Sequence, residues 1–318
     1  MTTVGAGRWR YRWRDDWLRL PDGIATGHTH GIVRDAAGNW YLLNQSPQAM
    51  LVLDADGAYR GHWGERFAAG AHGLTIHREA DGREVLWLTD YVAGCVCKTT
   101  LAGEVLLELR APHVGVLYDE PGQFKPTEVA VAPDGSVYVA DGYGRPWIHR
   151  FADDGGYLAS FGGPAARGFS RCRAWEDPGK LEQPHGIAIL ATSDGWEVVV
   201  ADRRHNRIQV FDPQGAFLRF IHGGVRYPCT AVAHGDTLLV PDLYACVHVL
   251  DRAGRSLAVL GDDPQVWDEP GWPDVRLARW RPGRFIAPHA LWADEDGSLT
   301  VVEWTPRGRV VRLEPDPE

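Results

Sequence analysis

The chain has 318 residues, a hydrophobic fraction of 44%, a formal net charge of -9 and a pI near 5.8. An acidic balance of this size lacks the basic footprint that a nucleic-acid groove or an anionic membrane surface demands, so neither is expected as a partner, and a small-molecule substrate or another protein is. No apolar run approaches the ~18 residues of a membrane span, Met1 to Trp13 has no signal-peptide apolar core, and an odd set of cysteines (Cys95, Cys97, Cys172, Cys229, Cys246) fits reduced thiols; a cytoplasmic location is the expectation.

In chain order, Tyr11 to Leu20 alternates aromatic and charged residues and predicts a half-buried strand. A faint repeat start follows at Thr29-His30-Gly31, and a clearer one at Ala71-His72-Gly73. Phe124 to Val131, Pro133 to Asp141 and Trp147 to Phe151 then read as strands bounded by Asp, Gly and Pro. Gln183 to Ile189, Trp196 to Phe211 and Ala216 to Ile221 repeat that pattern strand for strand, with Asp212-Pro213-Gln214-Gly215 as a turn. Further copies begin at Pro228-Cys229-Thr230 and Pro288-His289-Ala290.

The anchors His30, His72, Thr127, His185, Cys229 and His289 are spaced by 42, 55, 58, 44 and 60 residues. Four-stranded units of about 40 to 45 residues are propeller blades, which must stack to bury both faces. The fold class is therefore all-β, a six-bladed β-propeller, expected as one domain over residues 1–318. The last unit offers three strands only, within Ala290 to Ala293, Ser298 to Trp304 and Arg309 to Leu313, so the N-terminal strand should complete it and remove an open edge. The longer gaps hold insertions at Ala111 to Gln123, Gly162 to Glu182 and Asp262 to Arg284, expected to roof one mouth, with Trp267, Trp272 and Trp280 folding the last one down. Cys95 and Cys97, two apart on a strand, either pack or bind metal.

Four of the six anchors are histidine, and equivalent positions in successive blades converge. Three His nitrogens with an open fourth position are the donor set of a catalytic Zn²⁺ or another divalent transition metal. Asn44, Asp90, Asp141, Asp202, Asp242 and Glu303 end the second strands and read as turn caps. Beside them stand Gln45, Tyr91, Tyr143, Arg203 and Tyr244, where a phenol would transfer protons and a guanidinium would clamp charge.

These repeats resemble NHL repeats, and Pro126 to Phe211, with Val139-Ala140-Asp141-Gly142-Tyr143, Pro184-His185 and Ala201-Asp202-Arg203 through Arg207-Ile208-Gln209-Val210-Phe211, is similar to the peptidyl-α-hydroxyglycine α-amidating lyase family. The resemblance implies a six-bladed propeller whose zinc ligands fall on His72, His185 and His289, whose proton-transfer tyrosine falls on Tyr143 and whose assisting arginine falls on Arg203. Gln45 stands where that family has a further arginine, and Ala287 where it has a methionine. Its channel calcium uses an Asp after the last histidine, here Ala290; carbonyls of Ile32 and Leu74 are what would remain for Ca²⁺. His30 has no counterpart and is expected as a fourth ligand or a base.

The function expected is thus a metal-dependent lyase on a small hydroxylated substrate, carbinolamide-like or sugar-like, with Arg203 and a cation lowering the Tyr143 phenol. The alternatives are a non-enzymatic NHL propeller that binds a protein or peptide, and a metal-dependent lactonase or hydrolase.

Overall fold

Strand-forming runs rich in Val, Ile and aromatic residues alternate with Asp- and Gly-bearing turns throughout, and they fold into six sheets. The computed structural model describes residues 2–164 and 177–316; Cys172 and most of the Gly162 to Glu182 insertion lie outside the described residues. The sheets are the blades of a six-bladed β-propeller of the NHL type, and the chain groups into two compact units, residues 72–233 and residues 1–71 with 234–318.

The first of these units carries three four-stranded sheets. Their strands are Ala71–Arg78, Glu84–Asp90, Cys95–Thr100 and Val105–Leu109; then Glu128–Val131, Val137–Ala140, Trp147–Phe151 and Tyr157–Gly162; then Pro184–Thr192, Gly195–Asp202, Arg207–Phe211 and Phe217–Ile221. Inner strands are apolar on both faces because each sheet is covered by its neighbours. Val85, Trp87 and Val96 pack against Val129, Val137 and Val139 of the next sheet, and Tyr138, Ala140 and Ile148 against Ile187, Val198 and Val200 of the one after. Each such side chain contributes roughly 1.5–3 kcal/mol on burial.

The other unit holds Thr29–Arg34, Trp40–Asn44, Met50–Leu53 and Tyr59–Trp63; Val232–His234, Thr237–Asp242, Cys246–Asp251 and Ser256–Leu260; and a closing sheet of Pro288–Ala293, Leu299–Glu303 and Arg309–Pro315. The N-terminal strand Tyr11–Arg14 completes that last sheet, with Tyr11 opposite Pro315 and Trp13 opposite Leu313, and Thr3–Val4 adds a fifth strand outside it. The alternation of Tyr11 to Leu20 does not run through as one strand: it stops at Arg14, and Trp17 leaves the ladder to pack edge-on against Trp40 at 5.2 Å. Among the described residues no helix is long and apolar enough to cross a membrane.

Candidate active site

His72 and His185 open the innermost strands of their blades, each followed by a glycine that the packing requires. A Cβ on Gly73 would lie 2.5 Å from the Thr127 carbonyl oxygen, and one on Gly186 would lie 2.3 Å from that of Cys229. This close approach brings the preceding imidazole onto the same carbonyl. His72 Nδ1 lies 2.7 Å from Thr127 O, and His185 Nδ1 lies 2.8 Å from Cys229 O. A carbonyl only accepts, so both Nδ1 atoms carry the proton and both Nε2 atoms present a lone pair.

Those two Nε2 atoms face one another at 3.1 Å. The Tyr143 hydroxyl completes a triangle, 3.0 Å from His72 Nε2 and 3.1 Å from His185 Nε2. Two ligands at ~2.0–2.1 Å on a tetrahedral ion stand about 3.3 Å apart, so the donor chemistry and the spacing both fit a divalent cation. Tyr143 reaches the histidines because Asp141, two residues earlier, accepts from the amides of Lys125 and Arg145, each at 2.7 Å, and fixes the turn.

Arg203 Nη2 donates to the Tyr143 oxygen at 3.3 Å. Its Nε donates to Gln183 Oε1 at 3.1 Å, which also accepts from the Tyr227 hydroxyl, and the guanidinium lies 4.9 Å from the Tyr227 ring centre. Burial alone would lower Arg203, but Tyr143, Cys229 and Tyr227 outweigh it and hold its pKa above the usual value. The Tyr143 phenol is pushed up, because burial exceeds the opposing pull of Arg203. The lowering by Arg203 is therefore present, yet smaller than the cost of desolvation. Tyr91 borders the group, its ring 5.9 Å from His72 and 5.3 Å from Tyr143.

In the other unit, His289 Nδ1 lies 2.9 Å from the His30 carbonyl oxygen. This is the same contact that His72 and His185 make, so all three anchors share one tautomer. His30 differs: its Nδ1 lies 3.1 Å from His28 O of its own blade, and its ring stands edge-on to His289 at 4.7 Å. Gln45 donates from Nε2 to Ala71 O at 3.3 Å. Nearby in the chain fold, Trp267 stacks on Tyr244 at 5.1 Å, and Trp272 lies 6.1 Å from Trp304 and donates to Ile286 O at 3.0 Å, so the Asp262 to Arg284 insertion is tied down by its tryptophans.

The second-strand acids act as caps. Asp90 accepts from Val92 and Ala93, Asp202 from Glu182, and Glu303 from Ile286 and Ala287. Sequence reasoning missed the carbonyls of Thr127 and Cys229, whose side chains carried the repeat phase while their backbone does the work of orientation. It also missed Gln183 and Tyr227 as the supports of Arg203.

No family model matches the chain. Peptidyl-glycine alpha-amidating monooxygenase B of Xenopus laevis is 32% identical over 152 residues, 47% of this chain and 16% of that protein. Peptidyl-alpha-hydroxyglycine alpha-amidating lyase 2 of Drosophila melanogaster is 29% identical over 179 residues, 53% of this chain and 38% of that one. The resemblance to the amidating lyases holds in sequence. The matched stretch spans less than half the length of either relative. In fold, the chain is similar to a solved gluconolactonase of Xanthomonas campestris, with a TM-score of 0.61 and 16% identity over 92% of this chain and 87% of that one.

Proposed function

We propose that the protein is a metal-dependent lyase that converts a small carbinolamide-like substrate into a carbonyl compound and an amide or amine. The reading rests on the triangle of His72 Nε2, His185 Nε2 and the Tyr143 hydroxyl, with both imidazoles locked in the ligating tautomer. The names of the sequence relatives support the reaction class. His72 and His185 would hold the cation, with His289 as third ligand on the strength of its equivalent sequence phase and its identical Nδ1 contact. A divalent ion there supplies Lewis-acid polarisation of a substrate oxygen.

The chain's own groups do the rest. With a cation bound beside it, and with Arg203 on its oxygen, Tyr143 would be favoured as the phenolate; in that form it takes the proton from the substrate hydroxyl, and Arg203 stays within reach of the negative charge that passes to the substrate oxygen. As the hydroxyl O–H bond breaks and the C=O bond forms, the C–N bond breaks, and Tyr143 returns the proton to the leaving nitrogen. Gln183 and Tyr227 keep Arg203 from swinging away.

The test is metal content. His185→Ala, compared with the parent at equal folded fraction by circular dichroism, is expected to lose bound divalent metal and turnover of α-hydroxy amides together. Undiminished metal in that variant would overturn the ligand assignment.

A further inference from the structure

In four blades the second-strand acid has a partner directly across the ladder, and in the fifth blade that partner, opposite Asp242, is Cys246. Arg207 stands opposite Asp202 and donates from Nε to Oδ2 at 2.8 Å; Arg309 stands opposite Glu303 and donates from Nη1 to Oε1 at 3.2 Å. In the second blade that ladder position, opposite Asp90, is Cys95. Two residues on, Cys97 shares its face of the strand and pairs directly with Glu108 of Val105–Leu109. Three donors of metal-ligand type thus project from one side of two hydrogen-bonded strands.

Their spacing is that of a coordination polyhedron. The thiol sulfurs are 3.9 Å apart, Cys97 Sγ is 3.7 Å from Glu108 Oε2, and the three ligand atoms all lie within 4.8 Å of one another. On a tetrahedral ion with Zn–S of about 2.3 Å and Zn–O of about 2.0–2.2 Å, the S···S and S···O edges are about 3.8 and 3.6 Å. A disulfide fits less well, since residues two apart on an extended strand hold their Cα atoms about 6.7 Å apart, at the upper limit for that bond. The cysteines are fully buried, whereas the Glu108 side chain is 28% exposed and gives a way in. Charge also closes: two thiolates and a carboxylate leave one negative charge around a divalent ion, and Arg110 sits on Glu108 Oε1 with Nε at 2.8 Å and Nη2 at 2.5 Å.

We propose that Cys95, Cys97 and Glu108 form a binding site for a thiophilic divalent cation of the zinc class, separate from the histidines. Binding displaces both thiol protons to solvent and needs no redox partner. The same site would brace the Asp90 to Cys95 turn, which carries Tyr91 beside His72 and is also held by Arg110 through Gly94 O at 3.5 Å.

The experiment is titration of the reduced full-length protein with cobalt(II), following the thiolate-to-cobalt charge-transfer absorption. The parent is expected to show that band at one equivalent, and His185→Ala and Cys246→Ser to retain it. Cys97→Ser should lose most of it, and Glu108→Gln should keep the band with affinity lowered about tenfold or more, since even outer-shell changes cost that much. The Glu108 variant alters a partly exposed side chain and covers the case in which the serine variant does not fold. No band in the parent, a band abolished by Cys246→Ser alone, or unchanged affinity in Glu108→Gln would each overturn the site.

Discussion

At the scale of single residues, the histidines are set by what their Nδ1 atoms touch. His72, His185 and His289 each place Nδ1 on the carbonyl of the following anchor, while His30 turns to its own blade. The repeat phase alone makes the four look equivalent; the family resemblance set His30 apart, and backbone proximity supplies a physical difference that the repeat phase does not carry. Tyr143 was legible because Asp141-Gly142-Tyr143 repeats a phase; its contact with both imidazoles depends on the turn held by Asp141. Tyr143→Phe removes one hydroxyl from the triangle and leaves the ring to pack on His72 at 5.0 Å. The variant is therefore expected to keep fold and metal while turnover falls by roughly 10² to 10⁴, the contribution of a positioned acid or base. Turnover close to the parent's would move the proton transfer to another group, and His30 would be the next to test.

At the scale of elements, the strands were readable from alternation and turns and the insertions from the long gaps between anchors, but the contacts that fix the described insertions were not. The Ala111 to Gln123 segment is pinned by Tyr118. Its hydroxyl donates to Asp141 Oδ2 at 2.7 Å and lies 2.6 Å from His149 Nε2, while His149 Nδ1 lies 2.6 Å from Ser160 Oγ. With Tyr118 donating to the acid, His149 Nε2 must carry a proton and Ser160 must donate to Nδ1, a one-way chain that keeps the imidazole neutral; burial lowers its pKa to about 3. No spacing rule in the sequence joins those four residues. The N-terminal strand, by contrast, follows from counting strands. Trp13 packs on Phe285 at 4.7 Å and lies under the Arg309 guanidinium at 5.3 Å, and Trp17 joins the cluster of Trp40, Leu42 and Val302. Deleting residues 1–18 strips these indoles and exposes the Arg309–Pro315 edge. Loss of Trp13 alone costs about 3–5 kcal/mol, against a total stability of about 5–15 kcal/mol for a typical domain, and an open edge recruits other chains. The expected result is aggregation or a large fall in Tm, and a deletion that melts like the parent would show that this strand is dispensable.

At the scale of the whole molecule, the proposed reaction class and the choice of substrate are separate matters. The matched stretch is 38% of the Drosophila lyase and 16% of the Xenopus monooxygenase, and the chemistry proposed above rests on Tyr143, His185 and Arg203, not on Gln45. A peptidyl-α-hydroxyglycine ends in a carboxylate, for which an arginine offers a charge-assisted bidentate contact and an amide does not. Gln45 is neutral, and its Nε2 is already on Ala71 O. A hydrogen bond to a charged group contributes about 1.5–3 kcal/mol, so its loss should lower kcat/KM for that substrate by about ten- to a hundredfold relative to an uncharged α-hydroxy amide of equal size. Gln45→Arg should recover much of that ratio while leaving turnover of the uncharged compound little changed. Equal kcat/KM for the two substrates in the parent, or no response of the ratio to Gln45→Arg, would show that carboxylate recognition lies elsewhere in the chain.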